Sequence, residues 1–248
     1  MAGSRTYRCR AIVLGKTKLK ETDLILTLVA EGGRQVRAVA KGARKPGSRL
    51  AARCDLCCEI DLLLAQGHSL DVVSQAELLA APLGAQPSYE LLSAASAVAE
   101  VARLCCYEDV EDAFVYPITR AVLDAMGKAD PVHLDLLVAA YVFKLLSHIG
   151  YRPDYGGCVS CGDPAPSFFS AQAGGLLCAS CAAGIPGAEE VDGNVIGWLR
   201  SLIALRFTEL AQAAIDPQTA VFLLALSHVW AATHLDARLR AMEFLLGR

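Results

Sequence analysis

Near residue 81 of this 248-residue chain the hydrophobic period changes, and few architectures accommodate such a switch. Upstream, YRCRAIVL (7–14) and RQVRAVAK (34–41) alternate apolar and polar residues in period two, and LILTLVA (24–30) is a continuous apolar run. Both patterns are strand signatures. EGG (31–33) supplies a hairpin turn between the second and third segments, with glycine where positive φ is needed. CDLCCEIDLLL (54–64) and LDVVSQAEL (70–78), separated by the turn residues QGHS (66–69), predict two further strands. Five short strands in about seventy residues suit a small closed barrel. The loop GARKPGSR (42–49) is basic and holds Gly, Pro and Ser, so it is expected to be mobile.

APLGAQPS (81–88) marks the boundary, and beyond it the period is helical. SYELLSAASAVAEVARLCC (88–106) is amphipathic, with Ser88 as N-cap and Glu90 in the first turn. DVEDAFVYPITRAVLDAM (109–126) and DPVHLDLLVAAYVFKLLSHIG (130–150) follow. In the latter, Asp130 and Pro131 open the helix and Gly150 ends it. Three more helical stretches fall near 191–206, 217–234 and 236–246. The composition, 54% apolar and rich in Ala and Leu, favours packed helices over disorder. The uncharged apolar stretch 217–235 contains Gln218, Ser227, Thr233 and two histidines, which fits a buried helix rather than a membrane span. The apolar run after Met1 covers only 11–14 before Lys16, too short for a secretory signal. The chain is therefore expected to be cytoplasmic, with no membrane partner.

The net charge of −3 conceals a strong polarity. Residues 1–53 carry 13 Lys and Arg against three acids, whereas the remainder carries ten against 23. Such asymmetry points to a polyanion-binding module on an acidic body. Lys16, Lys18 and Lys20 lie between the first two strands, Arg34, Arg37 and Lys41 on the third, and Arg44, Lys45 and Arg49 on the loop after it. Arg37 and Lys41 share a strand face with Val39 and are expected to line one groove. A basic five-stranded barrel is a common frame for oligonucleotide binding. Tyr7 is the one aromatic among the first 88 residues, so few bases can be stacked and little sequence preference is expected.

Four of the ten cysteines fall in CVSCGDPAPSFFSAQAGGLLCASC (158–181), as Cys158, Cys161, Cys178 and Cys181. Two residues between paired cysteines let both thiolates face one ion from a tight knuckle, and Gly162 permits the turn. PSFFSAQAGGLL returns the chain as a hairpin with Gly174 and Gly175 at the bend. Four thiolates match one structural Zn2+ and leave no position open for catalysis. The same spacing is compatible with an iron–sulfur cluster, and a redox pair is the further alternative. The other cysteines read as apolar packing. Cys54 and Cys57 fall on opposite faces of a strand, with Cys54, Leu56, Cys58 and Ile60 grouped, and Cys105 and Cys106 end a helix.

Other motifs fail. Gly15-Lys16-Thr17 lacks the earlier glycine of a phosphate-binding loop, position 10 being Arg, and no helix follows. His133 and His234 are each followed by Leu-Asp, which does not fit a zinc deaminase pattern. No acid–base pair or nucleophile constellation emerges, so the protein is not expected to be an enzyme.

Taken together, KETDLILTLVAEGG (20–33), AKGARKPGSRLAA (40–52), IGYRPDYGGCVSCG (149–162) and FFSAQAGGLLCASC (168–181) resemble the RecO family of bacterial recombination mediators over nearly the whole chain. The resemblance implies an α+β multidomain protein: an N-terminal five-stranded OB-fold barrel (1–80), a helical domain (81–151 and 188–248) and an inserted four-cysteine zinc ribbon (152–187). It further implies a role in DNA repair without ATP consumption. Such a protein would bind single- and double-stranded DNA and anneal strands coated by single-strand DNA-binding protein. It would work with RecR and so, indirectly, assist RecA loading, associated with the nucleoid. The alternative is a zinc-ribbon adaptor that binds proteins and does not anneal DNA.

Overall fold

The five strand signatures are realised as β1 (Thr6–Leu19), β2 (Asp23–Ala30), β3 (Gln35–Ala40), β4 (Glu59–Ala65) and β5 (Asp71–Ala80). The computed structural model describes residues 5–247. The strands close a barrel in the order β1-β2-β3-β5-β4. β1 serves two partners: residues 6–12 pair with β4 and residues 11–19 with β2. An irregularity between Val13 and Gly15 lets one long strand turn the corner. All pairings are antiparallel except the closing seam, where β3 meets β5 in parallel through Ala38–Asp71 and Val39–Val72. Alternation decides the interior: Ala11, Ala38, Ala40 and Ala76 leave room in a narrow lumen for Leu26, Leu28, Ile60, Leu62 and Leu64.

One expectation for this region is corrected. The fourth strand begins at Glu59, not Cys54, because a one-turn helix, α1 (Arg49–Arg53), precedes it and Cys54 caps that helix. Cys57 then takes φ +62, and Cys58 N–H donates to the Asp55 carbonyl at 3.2 Å, so 54–58 is a turn. Cys54, Cys58 and Ile60 nonetheless share the barrel core, while Cys57 Sγ points at the Ala95 carbonyl, 3.7 Å away. The basic loop 42–49 runs through turns, with Lys45 N–H donating to the Gly42 carbonyl (3.1 Å) and Ser48 N–H to the Lys45 carbonyl (3.0 Å).

α2 (Tyr89–Cys105) opens as expected, with Ser88 Oγ accepting from Leu91 N–H at 3.2 Å, and lies against β1 and β2. α3 (Val115–Met126) begins six residues later than the periodicity predicts. Pro117 has no N–H to donate and is tolerated only in a first turn, and Asp112 Oδ1 accepts from Phe114 N–H (3.0 Å) ahead of it. The segment before α3 presses on the β2–β3 turn. Gly33 sits at φ +87, and a Cβ there would lie 1.7 Å from the Asp112 carbonyl oxygen, so only glycine fits.

The chain divides after Gly127 into two compact units. In the second, α4 (Pro131–His148) is the central helix. The unit continues with the hairpin β6 (Phe168–Ser170) and β7 (Gly175–Leu177), then α5 (Ala179–Ala182) and β8 (Glu189–Glu190). α6 (Gly193–Ala204), α7 (Phe207–Leu210), α8 (Pro217–Leu235) and α9 (Arg240–Leu246) complete it. α4 packs on α6, α7 and α8, and twelve of its residues are buried, which is why it reads as an apolar run. Asp192 and Asp216 cap α6 and α8 through Val195 and Thr219 N–H groups at 2.8 and 2.9 Å. The last helix starts at Arg240 rather than 236, because Asp236 adopts φ +46 and ends α8. Among the described residues no helix is long and apolar enough to cross a membrane.

Candidate nucleic-acid interface and metal centre

Strand register gathers part of the cationic set at one end of the barrel. Lys18 pairs with Leu24, which pairs in turn with Ala40, so Lys18 stands on their core-side face at the open end of the β1–β2 hairpin, whereas the exposed Lys41, one residue beyond Ala40, stands on the outer face. Lys20 forms the tip of that hairpin at φ +56. The following loop bends back onto it: Arg44 N–H donates to the Thr22 carbonyl (2.8 Å), and Arg44 Nη1 to the Lys20 (3.2 Å) and Glu21 (2.8 Å) carbonyls. Lys45 is exposed beside it. Lys20, Lys41, Arg44 and Lys45 therefore gather on one side of the turn, with Lys18 on its other face.

The other four lie apart. Lys16 is ion-paired with the Asp55 carboxylate, and Arg49 is the exposed first residue of α1. Arg34 and Arg37 flank the opposite end of β3. The Arg34 guanidinium is 5.9 Å from the centre of the Tyr7 ring, and Arg37 is 3.9 Å from Glu108. Arg37 and Lys41 both face outward with Val39 between them, but four strand residues separate them by about 13 Å. Tyr7 is engaged as well: its hydroxyl donates to the Asp71 carboxylate, and burial with that bond pushes the phenol up to about 12.

Two groups escaped the sequence reading. Asp23, the first residue of β2, accepts from Gly42 N–H at 2.8 Å and from the Thr22 hydroxyl at 3.0 Å, fastening the basic loop to the hairpin. Glu59, at 5% exposure, accepts from the Tyr116 hydroxyl at 2.6 Å and pairs with Arg120 at 3.2 Å. Neither follows a local spacing rule, since Gly42, Tyr116 and Arg120 are contributed by distant segments. Gly15-Lys16-Thr17 lies within β1. His133 and His234 are in helices α4 and α8; His133 Nε2 is 2.9 Å from the Ala213 carbonyl, and His234 lies over the Tyr151 ring.

In the second unit the hairpin carries the four cysteines together. Gly162 N–H donates to the Cys158 carbonyl at 2.8 Å with Gly162 at φ +80, forming the first knuckle. Cys178 is the N-cap of α5, and Cys181 stands one turn further on. Their ligand atoms all lie within 4.8 Å of one another, with Cys161 and Cys178 Sγ 3.7 Å apart. Four sulfurs around a tetrahedral ion at about 2.3 Å stand about 3.8 Å apart, so the set fits such a cation. Backbone N–H groups of Cys178, Cys161 and Ser160 pull the Cys158 thiol down to about 6. Cys161 is pushed up to about 12 despite the Asp163 N–H, because the other three sulfurs surround it. The strands of the hairpin face two ways. Phe168 packs on Cys158, Leu177, Cys178 and Ala182, while Phe169 meets Trp230 and Phe143 at ring distances of 5.5 and 6.2 Å.

A closed five-strand barrel of OB type, followed by helices and a four-cysteine cluster able to hold a metal ion, defines the architectural class. Residues 1–82 match the family model for the N-terminal part of Recombination protein O, and residues 86–243 the model for its C-terminal part. The chain is 34% identical over 249 residues to the DNA repair protein RecO of Cutibacterium acnes, covering 97% of this chain and 98% of that one. It is also 34% identical over 250 residues to the protein of that name from Bifidobacterium adolescentis, covering 96% and 98%. With the Nocardioides protein of the same name, identity is 32% over 248 residues, covering 96% and 98%. The chain belongs to the RecO family of DNA repair proteins.

Proposed function

We propose that this protein is a DNA repair and recombination mediator that binds single- and double-stranded DNA without catalytic turnover. It anneals complementary strands coated by single-strand DNA-binding protein, and with RecR it assists RecA loading, in the cytoplasm and at the nucleoid. In working terms residues 1–80 hold DNA, residues 81–151 and 188–248 form the helical domain, and residues 152–187 form a ribbon on one Zn2+ bound by Cys158, Cys161, Cys178 and Cys181. The observation that carries the reading is the group of four cations on one side of the β1–β2 turn in a chain of this family. Lys16, Lys18, Arg34, Arg37 and Arg49 extend the contact surface. Two DNA strands repel each other, and a cationic surface that neutralises both lowers the barrier to pairing without any bond chemistry.

Strand annealing, with and without single-strand DNA-binding protein, tests this. Wild type should anneal, and Lys20→Glu/Lys41→Glu should lose most of the activity while keeping its fold by circular dichroism. Unimpaired annealing by that variant would overturn the assignment of these cations, and absence of annealing by wild type would favour the protein-binding adaptor.

A further inference from the structure

The cationic end of the barrel contains an acid at its centre. Asp23 lies beside Lys20 and Lys41, and a residue chosen only for its charge in a phosphate-binding surface would not be a carboxylate. Its geometry explains its presence. One oxygen, Oδ1, receives both the Gly42 N–H (2.8 Å) and the Thr22 hydroxyl (3.0 Å), tying the first turn of the loop to the hairpin. These bonds hold its carboxyl below the usual carboxylate range, with Lys20 and Lys41 adding to the effect.

The loop is fastened at two further points. Ala43 is 1% exposed and sits in the barrel core, and Arg44 is bonded through its main chain and one Nη to the hairpin carbonyls. Gly42 and Gly47, at φ +66 and +73, give the chain the reversals it needs between these anchors. Without the fastening, Lys41, Arg44 and Lys45 would repel Lys20, and the loop would splay. DNA would then have to order it on binding, with loss of affinity.

We propose that Asp23 is the positioning residue of the phosphate-binding surface: it latches the 41–48 loop to the β1–β2 turn, so that Lys20, Lys41, Arg44 and Lys45 form one preorganised platform for a nucleic-acid backbone. This rests on the DNA-binding reading and adds which cations act together and what holds them. It also separates Arg34 and Arg37, each engaged elsewhere, from the platform.

The sign of two substitutions tests it. Charge counting says that Asp23→Ala and Asp23→Asn both tighten DNA binding, since each removes a negative charge. Positioning says that they diverge, because the Asn amide oxygen still accepts from Gly42 N–H and the Ala methyl cannot. Labelled oligonucleotides titrated across roughly 50 to 300 mM salt should show Asp23→Asn binding at least as tightly as wild type. Asp23→Ala should bind about tenfold more weakly, with a log–log salt slope shallower by about one to two. Without DNA, trypsin should cut after Lys41 and Arg44 faster in Asp23→Ala than in Asp23→Asn or wild type. Tighter binding by Asp23→Ala, or unchanged loop cleavage, overturns this role alone. Absence of salt-sensitive binding in wild type removes the DNA-binding reading and this role with it.

Discussion

Glu59 shows how one buried residue joins two elements. Its carboxylate, on the first residue of β4, is the acceptor for Tyr116 and the counter-ion of Arg120, both on α3. Glu59→Ala should lower unfolding free energy by about 2–3 kcal/mol, since it strands a buried hydroxyl and an arginine together. Tyr116→Phe should cost only about 1 kcal/mol. Urea denaturation would measure both, and equal losses would show that the pair does not act as described. Tyr7 gives a pH signature. Its hydroxyl donates to Asp71 only while protonated, and its folded-state pKa is raised to about 12 from an ordinary 10.0. The stabilisation is therefore complete below pH 10 and fades as pH rises from there toward about 12. The stability difference between wild type and Tyr7→Phe should shrink over that window; a difference independent of pH would contradict the bond. Neither residue advertised itself in the sequence, because nothing near Glu59 or Tyr7 in the chain names a partner on β5 or α3.

At the scale of elements, the cysteine hairpin is a staple between a four-cysteine cluster and an aromatic core. Successive strand residues point to opposite faces, so Phe168 serves the cysteines and Phe169 serves Trp230 and Phe143. Cys161→Ser should lower bound zinc and melting temperature together while leaving DNA affinity at constant salt within about twofold, since the cations concerned lie on a different unit. Selective loss of DNA binding at unchanged stability would assign the ribbon a direct role. Elements like these were readable where a local rule governs them. Ser88 marks a helix start through its side-chain cap, Pro131 marks another by its place in the first turn although Asp130 makes no side-chain cap bond, and Gly174 at φ +86 marks the hairpin bend. α1 and β8 were not readable. One is a single helical turn and the other two residues of pairing, and both exist through their neighbours rather than through any periodicity.

For the whole molecule, polarity of charge is the organising quantity. With about six phosphates contacted, affinity should fall roughly a thousandfold between 50 and 200 mM salt, and a flat titration would exclude a phosphate-dominated interface. The barrel and the helical remainder were legible because period two and period 3.6 fill different stretches of the chain. Which cations gather at the β1–β2 turn was not, since register across strands, and not spacing along one, sets Lys41 beside Asp23 and away from Arg37. The closing seam has a mechanical consequence of its own. Only two residue pairs join β3 to β5, whereas each other junction of the barrel runs over six or more. The cylinder is a long ribbon fastened by a short clasp, and it should breathe there first. Hydrogen exchange should find the amides around Ala38 and Val72 opening ahead of those along β1. Because the basic loop leaves β3 directly after the clasp, a hand that closes on DNA at that point would also hold the cylinder shut.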